Sequence, residues 1–63
     1  SDNERVLKET FDYFRNTAVG ELEDRIEDMN FEVSKQVARQ RLENFRETID
    51  LMEREHLGED IDG

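Results

Sequence analysis

Two runs of apolar residues recur along the chain at steps of three and four: Leu7-Phe11-Phe14-Ala18-Leu22-Ile26-Met29 and Ala38-Leu42-Phe45-Ile49-Met52. That spacing gathers each run on one side of an α-helix. Almost every position in between is charged or polar, so each helix has one face to bury and only another helix to bury it against. The segment Asn30-Phe31-Glu32-Val33-Ser34 separates the runs and breaks their period. The pattern predicts an all-α, antiparallel two-helix hairpin in a single domain over residues 1–63. Its first helix covers about 3–29, its turn about 30–33, its second helix about 34–57, and an acidic tail 58–63.

A hairpin of this size has little to bury. With 63 residues and no cysteine, the chain has neither a large core nor disulfides or thiolate zinc to compensate, and self-association is the usual remaining remedy. The stripes are also wider than one seam. Val33, Val37 and Leu51 extend the second stripe sideways, and Val6, Tyr13 and Val19 form a narrower second strip on the first helix. A wide stripe suits a four-helix bundle better than a two-stranded coil. The expected assembly residues are Leu7, Phe11, Phe14, Leu22, Ile26, Leu42, Phe45, Ile49 and Met52, in a homodimer or higher assembly.

Charge sets the orientation of the hairpin. Acidic residues crowd the stretch from 21 to 32, where a lone helix end would prefer cations. Lys35, Arg39, Arg41 and Arg46 lie just beyond the turn. Folding the two stretches against one another pairs them, although exposed ion pairs contribute at most about 1 kcal/mol each. A single helix of about 55 residues is the competing reading, since the chain has no proline. It would place Phe31 on the wrong face and need a five-residue step to reach Leu42.

Local signals fill in the ends. Ser1 and Glu4 fit a capping box, with the helix starting near Asn3. Asn30 suits a left-handed helix end and Ser34 a cap for the next helix. Gly58 is a natural helix stop. Gly20, inside the first helix, implies a close helix crossing or a mild kink after Asn16-Thr17.

The overall charge of −9, from 18 acidic and 9 basic residues, disfavours direct binding to nucleic-acid phosphates or to anionic membranes. The same repulsion predicts that salt strengthens self-association. No apolar run approaches the ~18 residues of a membrane span, and no signal peptide is evident. A soluble, cytoplasmic protein is the expectation.

Chemistry-bearing combinations are few. No cysteine, one histidine and no glycine-rich phosphate loop argue against nucleophilic catalysis, and two helices provide no enclosed pocket to tune a carboxylate pair. No cofactor is expected. Glu53 and His56, three residues apart, project to one side of a helix, and Glu53-Arg54-Glu55-His56-Leu57-Gly58-Glu59 resembles the second metal-binding helix of ferritin-like and rubrerythrin-like proteins. The resemblance implies an iron site completed by a carboxylate such as Glu23, and in an antiparallel hairpin such a site forms only across protomers. The simpler reading makes His56 the end of the second stripe, with no metal.

The sequence thus points to a small acidic, non-enzymatic interaction, oligomerisation or regulatory module that binds itself and another protein. The alternatives are a ferritin-like half-bundle and an acidic, nucleic-acid-mimicking inhibitor of a basic protein.

Overall fold

The computed structural model describes residues 2–58 and is all-helical over them, with two antiparallel arms. The first arm is a continuous rod built of α1 (Asp2–Asp12), a π-helical segment (Tyr13–Ala18) and α2 (Val19–Glu27). A turn over residues 28–31 reverses the chain, and α3 (Glu32–Leu57) forms the whole second arm. The hairpin is the fold, and the single long helix is not: Arg15 bonds Asp50 across 35 positions of sequence.

The turn falls about two residues earlier than the sequence reading places it. The Asp28 and Met29 amides bond the Arg25 and Ile26 carbonyls, tightening the last turn of α2. Asn30 is not left-handed, since no non-glycine residue among those described has positive φ. The N-cap of α3 is the extended residue Phe31, which makes no side-chain cap bond; Ser34 lies inside the helix. At the far end Gly58 takes φ 63°, ψ 37°, and its amide bonds the Arg54 carbonyl. This is the left-handed stop that glycine adopts without Cβ strain. The capping role of Ser1 and the tail beyond Gly58 lie outside the described residues.

Among the described residues, four side chains are buried: Phe11, Val19, Leu42 and Ile49. Val19 is the most enclosed, at 1% exposure, although the 3.6-residue period places it on a secondary strip and Ala18 in the seam. The π segment is the reason. A π turn holds more residues than an α turn, so everything beyond Tyr13–Ala18 is rotated by about one residue relative to an unbroken α-helix. Val19 takes the seam position that Ala18 would have held, and Leu22 swings toward the edge, 42% exposed.

Three further expectations change. Phe14 is 37% exposed and stands at the edge of the seam, not in its core. Val33, Val37 and Leu51 do not widen the α3 stripe. Leu51 is two residues past Ile49, about 200° around the helix, and all three face away from the seam at 50% exposure or more. Gly20 marks no close crossing, because a Cβ there would meet nothing within 4 Å. The irregularity in the arm is the π segment itself, which contains Asn16 and Thr17 and ends two residues before the glycine.

Candidate functional site

The two flanks of the hairpin seam differ in chemistry. On α3, Leu42 and Ile49 point into the seam. Arg39, Arg46, Asp50 and Glu53 follow one another at helical spacing along one side of that line, and Ala38, Arg41, Phe45 and Met52 along the other. The first arm divides the same way, with Glu23 and Glu27 to one side of Val19 and Leu22 to the other.

The charged flank is closed by ion pairs between the arms. Arg46 reaches Glu23, and Glu27 accepts from Arg39 at 2.9 Å with the Lys35 ammonium 3.8 Å away. The hydrogen bond from Arg39, and then the charge of Lys35, hold the Glu27 carboxyl below its ordinary value of 4.5. The same bond, from the other side, raises Arg39. The acidic stretch before the turn and the basic stretch after it do meet, as the charge pattern predicts.

Farther from the turn, at mid-length of the first arm, Arg15 is the centre of the network. Its guanidinium contacts Asp12 at 3.3 Å within its own arm, and Asp50 at 3.2 Å and Glu53 on α3. The side chains of Arg15 and Glu53 are only 28% and 18% exposed, so this is the least solvated ion pair between the arms. The sequence reading gave Arg15 no role. Its position three residues after Asp12 signals a local pair, but nothing in the sequence shows that a π turn directs it across the seam.

These pairs also separate the candidate metal ligands. Glu23 is held by Arg46 and Glu53 by Arg15, while His56 directs Nδ1 at the Met52 carbonyl, 2.9 Å away, as a helix-end donor. Glu23 is paired on the turn side of the seam and Glu53 on the side away from the turn. Within the chain, no three His, Cys, Asp or Glu residues among those described group to hold a metal ion.

The opposite flank is open. A groove of about 390 Å³ runs between the arms there, lined by Leu22, Ile26, Ala38, Arg41, Leu42 and Phe45. Arg41 is its one ionisable group, and no ion pair holds it among the described residues. Phe45 is 41% exposed and packs edge-to-face on Phe14, with ring centroids 6.5 Å apart; Met52, 40% exposed, continues the flank beyond them. The nine expected assembly residues therefore divide. Phe11, Leu42 and Ile49 are consumed by the hairpin's own core, Leu7 and Ile26 are half-buried, and Phe14, Leu22, Phe45 and Met52 remain available on the open flank.

No protein-family model matches the chain. No curated protein and no solved structure matches it either. Among the described residues, no helix is long and apolar enough to cross a membrane. The fold and the flank thus define an all-α helical hairpin with one face closed by charge and one left apolar.

Proposed function

We propose that this chain is a small, acidic, non-enzymatic interaction and oligomerisation module of the cytoplasm. It first dimerises with a second copy of itself into a four-helix bundle, which then offers helix faces to another protein as a regulatory element. The observation that carries this reading is the open flank. Among the described residues four side chains are buried, while Phe14, Leu22, Phe45 and Met52 lie together along one side, each more than a third exposed. A contiguous apolar face of this kind marks an interaction surface.

The size of the face suits a second hairpin. The molecule measures 45 × 20 Å across its two longest dimensions, and a standard stable interface buries on the order of 800 Å² on each partner. A matching hairpin laid on that face removes the aromatic pair and the groove from water at about 25 cal/mol per Å² of apolar surface. Among the described residues the groove's only ionisable lining group is Arg41, which stays protonated and so provides neither an acid–base pair nor a nucleophile.

Sedimentation equilibrium across a concentration series tests the reading. The expected result is a reversible shift from the 7.6 kDa single chain to twice that mass. A single-chain mass at every concentration up to the millimolar range would refute it.

A further inference from the structure

The inference rests on the self-association reading and concerns how the two copies are arranged. The open flank varies along its length. Phe14 and Phe45 meet at mid-length, each close to the middle of its arm (2–27 and 32–57). On the turn side of that pair the flank is concave, with Ala38 and Leu22 in the groove and Arg41 at its edge. On the other side lie the half-buried Leu7, four residues before Phe11 on the same helical stripe, and the long, 40% exposed side chain of Met52. On α3, Ala38 and Met52 lie seven residues either side of Phe45, all three on one stripe.

We propose that the second copy packs end for end, its turn at the opposite end of the bundle, with the two-fold axis passing by the Phe14–Phe45 pair. Each α3 then lies antiparallel on the other. Phe45 meets Phe45, and Met52 of each copy lands over Ala38 of the other, a long flexible side chain against the smallest apolar residue of the groove. Leu7 of each copy faces the other's Leu22 in the same way. Large residues fill the groove and no space is left without partner atoms.

The alternative places both turns at one end, and two features work against it. It lays groove on groove and leaves the concavities unfilled. It also lays the first arm of one copy over α3 of the other and brings Arg25, one turn on from Leu22, toward Arg41. Neither arginine has an ion-pair partner among the described residues, so two uncompensated cations would meet at a closing interface.

The chain contains no cysteine, so Asn30→Cys in the exposed turn introduces a single spin-label site. Double electron–electron resonance on the labelled dimer reads the turn-to-turn distance. The end-for-end arrangement predicts one distance near the 45 Å length of the hairpin. A distance on the order of 10–20 Å, the spacing of adjacent packed helices plus label linkers, would overturn the arrangement and leave self-association standing. Absence of dipolar coupling, with a single-chain mass on the same sample, would overturn self-association and this inference with it.

Discussion

Phe14 and Phe45 meet edge-to-face with their ring centroids 6.5 Å apart, yet each keeps more than a third of its surface exposed. Aromatic side chains of this size are usually spent on burial. Here the pair holds the arms together at mid-length and still presents its outer surface. On the other side of the seam, Arg39, Arg46 and Arg15 tie the arms through carboxylates. The hairpin is a half-completed core, closed on one side by charge and open on the other.

Val19 occupies the seam because of the π segment. Val19→Ala, at 1% exposure, is expected to cost about 2 kcal/mol of folding stability, measurable by urea denaturation. Deleting Asn16 removes the extra residue of the π turn, so an unbroken α-helix again delivers Val19 to the seam. The deletion variant should keep its helical circular dichroism and cooperative melt. A non-cooperative melt in that variant would contradict the role assigned to the π turn.

Gly20→Ala should stabilise the protein. Glycine within a helix costs about 1 kcal/mol relative to alanine, and a Cβ at this position meets nothing within 4 Å. The expected outcome is a melting temperature raised by several degrees. A lowered one would mean that the arm needs the glycine's backbone freedom.

Arg15→Met leaves Asp50 and the mostly shielded Glu53 without their shared cation. The expected loss is about 1–2 kcal/mol, larger than that of Arg46→Met on the more exposed Glu23 pair, where less than about 1 kcal/mol is at stake. Comparing the two variants by chemical denaturation at low and moderate salt checks the order. Equal losses would contradict the distinction.

Glu27 gives the fold an acid-sensitive component. Its carboxyl is held below its ordinary value of 4.5 by the bond from Arg39 and the charge of Lys35. A depressed folded-state value means that the unfolded chain takes up the proton first. The stabilisation is therefore fully present above 4.5 and is lost as pH falls through the lower folded value. Glu27→Gln should flatten stability against pH in that acid range and leave the slope near neutrality unchanged.

The hairpin, its orientation and its glycine stop could be read from the residues themselves. The run from Glu21 to Glu32 and the cations after Ser34 encode the pairing, and Gly58 its end. The register of the first arm could not be read. Ala18 and Val19 are neighbours on competing stripes, and the choice between them is made by one π turn, which has no periodic signature of its own. Phe14 and Leu22 looked like core because an unbroken 3.6-residue period places them there. Val33, Val37 and Leu51 were misplaced for a simpler reason: apolar character alone does not say which side of α3 they occupy, whereas their spacing from Leu42 and Ile49 does.

The proposed self-association rests on the open flank. The most direct measurement compares the dimer dissociation constants of Phe45→Asp and Leu51→Asp by sedimentation equilibrium. Both replace an exposed apolar residue of α3, at 41% and 53% exposure, with the same charge, but only Phe45 lies on the flank beside the groove. Phe45→Asp should weaken the dimer at least a hundredfold, as expected when a buried aromatic anchor is lost, while Leu51→Asp stays within a few-fold of the parent protein. Equal weakening by both, or a dimer unaffected by Phe45→Asp, would contradict it.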